Sequence, residues 1–435
     1  MASDQAVQAG TTAARGTQAQ AEGGVLRNSD FLRLWAGESV SLVGTQVTQF
    51  AMPLVAVLTL NATVLEVGVL NALRFVPVIV FSLLAGVWLD RRRRRPVLIG
   101  CALGNAVLVG LVPLASVAGV LSIGLLYVVT ALVGTLSMTF DIGALSYVPS
   151  LVQRRHLLDA NSKLQASAQF AGIAGPGLAG LLVGLITAPI TLSVDAVSYL
   201  FSALGLISIS RPEPAPEIPA EPVPVRRSIA QGLRAVYGSK LLRSLLTQSA
   251  TLNLCFSAVI TIFVVYAIRV LGLTPAKLGI VLGASAVGGL IGALLAARLR
   301  AWLGFGRTML VTTIGISGAL LLMVLPRGAG LASMVILVAS HFSYGFAIIA
   351  FNVNSITLRQ IVTPKAVLAR MNATYRMLLY GAGPVGAVAG GLLGDAAGLR
   401  PALLVALVAM CSPALWIFFS PVYRLREMPQ GPPTA

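Results

Sequence analysis

Charge is what this chain has least of. Asp, Glu, Lys and Arg make up 10% of its 435 residues, against roughly 25% in soluble domains. A water-facing surface cannot be built from so little charge, so a soluble enzyme or scaffold is excluded. Acid is scarcer still: 14 Asp and Glu stand against 31 Lys and Arg, a net charge of +17. The basic residues fall in short segments between apolar runs rather than on one face, which excludes a nucleic-acid surface. The three cysteines, Cys101, Cys255 and Cys411, lie far apart in apolar runs. That excludes a metal spacing and leaves them as small packing residues. The two histidines are isolated, His156 in a basic loop and His341 in an apolar run. No Gly-x-x-x-x-Gly-Lys-Ser/Thr loop is present, so ATP hydrolysis is not the energy source, and no enzymatic activity or cofactor is expected. The first ~26 residues lack the apolar core of a signal peptide.

What the chain has instead is length of apolar run. It is 57% hydrophobic, with a mean hydropathy of +0.88. Runs near 31–60, 66–89, 96–119, 121–150, 163–187, 189–210, 241–270, 275–300, 308–326, 330–362, 370–394 and 400–423 each reach the ~20 residues that cross the hydrocarbon as a helix. The expected fold is therefore all-α and polytopic, with twelve transmembrane helices. Segment 211–240 is too rich in proline to span and carries a short helix at 228–240 on the membrane surface. It divides a six-helix bundle at 29–210 from a second at 241–424, and disordered tails occupy 1–28 and 425–435.

Orientation follows from Lys and Arg alone. With the amino terminus inside, the inner segments hold 26 of the 31 and the outer loops only Arg269, Lys277, Arg327 and Arg400, while Arg74 lies within a span. Both termini are expected in the cytoplasm of a multi-pass cell-membrane protein. The halves resemble copies: Gly175-Pro176-Gly-Leu-Ala-Gly180 in span 5 returns as Gly383-Pro384-Val-Gly-Ala-Val-Ala-Gly in span 11. Two six-span repeats around a long central loop imply alternating access, with a site between the halves.

The densest basic run, Arg91 to Arg95, follows Gly86-Val-Trp-Leu-Asp90 and precedes Pro96. This stretch resembles the loop 2–3 signature of the major facilitator superfamily, with Arg93 where that signature carries glycine. Ala171-Gly-Ile-Ala-Gly175-Pro176-Gly-Leu-Ala-Gly180 resembles the span 5 motif of its proton-driven exporters. Phe31-Leu-Arg-Leu-Trp35-Ala-Gly37, Pro149-Ser-Leu-Val152, Leu158-Asp-Ala-Asn161 and Val194-Asp195-Ala-Val-Ser-Tyr199 resemble its macrolide-efflux branch, which includes siderophore exporters. The resemblance covers about 30–425. It implies export of a hydrophobic or amphipathic small molecule by drug:proton antiport, with a siderophore or metabolite exporter as the alternative. The reading from another class is a non-transporting sensor or scaffold on the same fold. A scaffold needs neither Asp90 nor the Gly-Pro kink. Protons, the lipid bilayer and the cargo are the expected partners, and the chain is expected to be a monomer.

The resemblance also assigns roles. Gly86, Asp90, Arg91, Arg94 and Arg95 form an inner gate, with Asp90 meeting the start of span 11 near Arg370. Gly175, Pro176 and Gly180, with Gly383 and Pro384, form the antiporter motif, a kink and a close-packing face. Spans 1 and 4 line the cavity in that fold, which brings Glu38 and Asp141 together. Glu38 lies ~10 Å in from the inner end, and Asp141 at a similar depth on a span running the other way. Poor hydration lets such carboxylates load and release a proton, and Arg74 is placed to hold one of them ionised. Asp195 is expected near the outer surface, at the favourable amino terminus of span 6. Phe50, Met138, Tyr266, Phe342, Tyr344, Asn352, Asn354, Met377 and Tyr380 are the cargo-cavity candidates.

Overall fold

The computed structural model describes residues 25–90, 92–153, 156–211, 213 and 225–427; for 78–87, 90, 158, 225–229, 365, 366 and 369 it describes the backbone. The expected tails thus fall largely outside the described residues, and so does most of the proline-rich part of the linker. Residues 25–27, counted with the amino-terminal tail, form a 3-10 turn with Val25 buried.

Every described element is a helix or turn, as a chain that must satisfy its backbone inside lipid requires. The first bundle comprises α1 (Ser29–Leu54), α2 (Val64–Asp90), α3 (Arg94–Val117), α4 (Ile123–Leu151), α5 (Leu157–Ile186) and α6 (Ala188–Ile207). The linker helix α7 (Val225–Gly238) follows. The second bundle comprises α8 (Lys240–Arg269), α9 (Pro275–Leu303), α10 (Phe305–Leu321), α11 (Leu331–Val362), α12 (Lys365–Ala397), α13 (Leu399–Ala409) and α14 (Ser412–Phe418). Eleven helices among the described residues are long and apolar enough to cross a membrane. The 27-residue α2 lies where the second span is expected. The last expected span is broken into α13 and α14 just before Pro413, which has no amide to continue the helix.

Local chemistry sets the boundaries. The Asn28 side chain accepts hydrogen bonds from the Asp30 and Phe31 amides, 3.1 and 3.2 Å, and starts α1. Pro53 interrupts the ladder of α1, which continues as a π-helical turn over Val55–Thr59. Ser122, Ser239 and Thr274 cap α4, α8 and α9 in the same way as Asn28.

The two bundles use matching helix pairs. In the first, α1 packs on α5 and α6, α2 on α4, and α3 on α4 and α6; in the second, α8 packs on α12, α13 and α14, α9 on α11, and α10 on α11, α13 and α14. The bundles meet mainly along α2 against α12 and α5 against α9. Those seams need small residues. A Cβ on Gly180 of α5 would lie 2.6 Å from the Pro275 carbonyl oxygen of α9, and one on Gly391 of α12 would lie 2.7 Å from Leu65 Cα of α2.

Candidate functional site

We call the end of the molecule bearing α7 the linker end, and the opposite one the far end. At the far end the halves are locked together. Asp395, near the end of α12, accepts from the Val64 and Leu65 amides at 3.0 and 3.2 Å, so one half caps the first turn of α2 in the other. Arg269 Nη2 donates to the Ala62 carbonyl at 2.7 Å. Both glycine seams lie toward this end.

Below the lock is a cavity of ≈ 950 Å³ between the halves. Its walls come from α1, α2, α3, α4 and α6 on one side and from α12 on the other. Glu38, Arg74 and Asp141 all line it. Glu38 lies within reach of the Asp141 charge, and its Oε2 is buried without a hydrogen-bond partner among the described residues. Asp141 is exposed to the cavity space and feels the charge of Arg376 across from it. Arg74 lies over the Phe75 ring, 5.4 Å from its centroid. The wall also offers amides and hydroxyls, among them Gln46, Gln49, Asn71 and Asn105. A mostly apolar hollow with a few placed polar groups suits an amphipathic small molecule.

Of the cargo candidates, Met138, Met377 and Tyr380 stand on the wall. The other six do not. Tyr266 is 1% exposed in the core of the second bundle. Phe50 is buried, and Tyr344 stacks on Phe256 with centroids 4.9 Å apart. The Phe342 backbone packs against Gly288 of α9. Asn354 is held between the Ala350 carbonyl and Arg300, and Asn352 is exposed off the cavity. Position within an apolar span does not tell which face of the helix a side chain occupies. His341 is likewise a packing residue, with Nδ1 3.1 Å from the Leu337 carbonyl and its ring against Phe263.

The motif residues divide. Arg91 lies outside the described residues, as do the side chain of Asp90 and the surroundings of Gly86. Arg94 and Arg95 bond within their own half: their amides donate to Glu213 at 2.5 and 3.0 Å, and the Arg95 guanidinium donates to the Leu206 and Ile207 carbonyls at the end of α6. Arg370, in the region expected to receive Asp90, donates to Gln231 of α7. In the span 5 motif, Gly175 faces Gln46 of α1, while Pro176 and Gly180 meet Gly279 of α9. Gly383 faces Asn253 of α8, the counterpart of the first contact, and Pro384 follows it within α12. Gly172, Gly177 and Gly184 have open space around them.

Asp195 requires a correction. It does not sit at the amino terminus of span 6. Helix α6 starts at Ala188, so Asp195 is two turns in, at 0% exposure. Ser198 Oγ donates to its Oδ1 at 2.9 Å, and its Oδ2 faces the Thr48 hydroxyl without a well-formed hydrogen bond. Gly44 of α1 makes room for it, because a Cβ there would collide with Asp195 and Ser198. Two further residues were missed. Arg376, counted with the basic loop before span 11, lies three turns into α12 and lines the cavity. Asp395 forms the far-end lock. The signal for Arg376 was the unbroken helical stretch from Lys365; Asp395 stood out only as an acid one residue after the glycine-rich run.

Two helical bundles, sealed at one end around a charged amphipathic hollow, define a membrane transporter. The family model described as "Transmembrane secretion effector" matches residues 23–432. The chain belongs to that family, within the major facilitator superfamily. It is 30% identical to the multidrug efflux pump Tap of Mycolicibacterium fortuitum over 88% of this chain and 93% of that one. It is 26% identical to the enterobactin exporter EntS of Shigella flexneri, over 88% and 86%. The fold also matches a bacterial homologue of the iron transporter ferroportin in its inward-facing state, with TM-score 0.72 at 19% identity, covering 91% of this chain and 99% of that one.

Proposed function

We propose that this protein exports an amphipathic small molecule from the cytoplasm in exchange for protons, by alternating access to the cavity between its halves. The observation that carries the reading is the pairing of Glu38 and Asp141 on one wall of the 950 Å³ cavity, beneath a closed far end. The basic-residue count supports a cytoplasmic linker end, with both termini there. The structure is then the inward-facing state, ready to take cargo. Proton release from the two carboxylates to the cytoplasm resets their charge, and cargo binding follows. Reprotonation from outside after the far end opens drives the return. The energy source is the proton gradient, and the working unit is the monomer.

The likeness to Tap favours drugs as cargo; the likeness to EntS supports a siderophore-like metabolite as the second reading. The test is transport of a fluorescent amphiphile by the purified chain in proteoliposomes under an imposed proton gradient. Glu38→Gln and Asp141→Asn are each expected to cut gradient-driven transport about a hundredfold or more, the scale of a lost proton-transfer group, while cargo binding persists. Wild-type rates in both variants would place proton coupling elsewhere.

A further inference from the structure

We propose that the cargo carries a single anionic group (carboxylate, sulfonate or phosphate) on an apolar or aromatic body, and that Arg74 and Arg376 grip that group from the two halves. The inference rests on the export reading above and narrows its substrate class.

The charges on the cavity wall do not balance. Three arginines, Arg74, Arg370 and Arg376, face two carboxylates, Glu38 and Asp141. Nor do these charges meet at contact distance. Among the described residues the ion pairs within 4.0 Å are Arg33 with Asp30 and Lys163 with Asp159, both away from the cavity. Arg370 is occupied by Gln231. Arg74 and Arg376 have aromatic faces beneath them, Phe75 at 5.4 Å and Tyr380 at 5.9 Å, but among the described residues no hydrogen-bond acceptor. Among the described residues, then, neither fork of N–H donors is taken, and a guanidinium fork has the geometry that matches a two-oxygen anion. Were the arginines there only to hold Glu38 and Asp141 ionised, contact distances would be expected.

Placement strengthens the reading. Phe75 of α2 and Tyr380 of α12 are stacked across the halves, with centroids 6.3 Å apart and planes 10° apart. Two arginine–aromatic pairs thus face each other over the seam that must move during transport. Arg359, seated on Tyr375 at 4.0 Å, adds its charge to that of Arg376. Positive charge at this depth is costly without a counter-ion. With Glu38 and Asp141 ionised, one bound monoanion offsets the excess charge of the three wall arginines. The loaded cavity then closes at a lower electrostatic cost than the empty one.

The experiment uses the full chain in proteoliposomes and two xanthene dyes of similar size and opposite charge, fluorescein buffered on the loading side to its monoanionic form and a cationic rhodamine methyl ester. Fluorescein transport is expected to exceed rhodamine transport. Arg74→Gln and Arg376→Gln should each lower the ratio of fluorescein to rhodamine transport about tenfold or more, the usual scale for truncating a buried charged contact. Arg376→Lys should restore most of it. Gradient-driven rhodamine transport with little fluorescein transport, or a ratio insensitive to both Gln variants, overturns the anion assignment and leaves export standing. Movement of neither dye by the wild type overturns both.

Discussion

The two bundles pack their helices in matching pairs, yet they furnish the cavity very differently. The first bundle gives five helices to the wall and both of its carboxylates; the second gives one helix, α12, and two arginines. Where α1 and α4 turn Glu38 and Asp141 inward, their counterparts α8 and α11 are packed with Phe263, Tyr266, Tyr344 and His341. A packed apolar bundle is stiff, whereas a cavity-facing one lined with charge is open to protons and ligand. On the proposed export reading the halves divide the work: the first carries the titrating groups, and the second acts as a rigid wall closing on them along α12.

The harshest way to break this division is at the seam. Gly180→Leu places a side chain where even a Cβ would lie 2.6 Å from the Pro275 carbonyl. Since backbone cannot yield as a flexible side chain can, α5 and α9 should be forced apart at the far end. Transport is expected to be abolished, with a longer distance between spin labels at Val120 and Gly328. An unchanged distance would show that the seam tolerates bulk.

Within the first bundle, Gly44→Ala tests whether Asp195 fixes α1 against α6. The added methyl must displace Asp195 or Ser198 from a fully packed site, at an expected cost of about 1–3 kcal/mol. Gly110→Ala, whose Cβ would meet only Ala196 at 3.7 Å, is the control and should stay near the wild-type melting temperature. Equal melting temperatures for the two variants would remove Asp195 from this role.

Much of the fold was legible because hydropathy and arginine placement are forced by the bilayer. A run such as 241–270 has no alternative in lipid but a helix, and α8 spans Lys240–Arg269. The site was legible only in part. Glu38, Arg74 and Asp141 stood out because a charge inside an apolar run is conspicuous, and all three line the cavity. The aromatic candidates did not sort themselves, since Tyr266 and Tyr380 look alike in sequence and differ only in the helix face they occupy. Arg376 was hidden by proximity to a basic loop. Asp195 was misread although the start of span 6 was placed to within a residue: two turns in, it lies beyond the first turn, where an acid can favour a helix amino terminus.

The far-end lock offers a milder test of how the halves meet. Asp395→Ala removes the acceptor for two amides of α2, an interaction worth about 0.5–2 kcal/mol in comparable helix caps. The population should shift toward the state open at the far end, seen as a second, longer distance between the same Val120 and Gly328 labels. Asp395→Asn keeps one acceptor oxygen and should shift it less. If Asp395→Ala leaves the distance distribution unchanged, the carboxylate is not the lock.

The smallest expected effect comes from the joints between the last two spans of each half. Gly398 joins α12 to α13 at φ +81°, and Thr187 joins α5 to α6 at φ +77°, ψ 156°. That region is nearly reserved for glycine, and a side chain held there costs on the order of 1–3 kcal/mol. Thr187→Gly relieves the strain but adds freedom to the unfolded chain, which offsets about 1 kcal/mol of the gain. The net expectation is a rise of a few degrees at most in melting temperature, with transport unchanged. Gly398→Thr should move the other way by a larger amount, since it gains strain with no compensating contact nearby. A fall in stability for Thr187→Gly would mean that the Thr187 side chain contributes more than its backbone costs, and the likeness of the two joints would end at their dihedral angles.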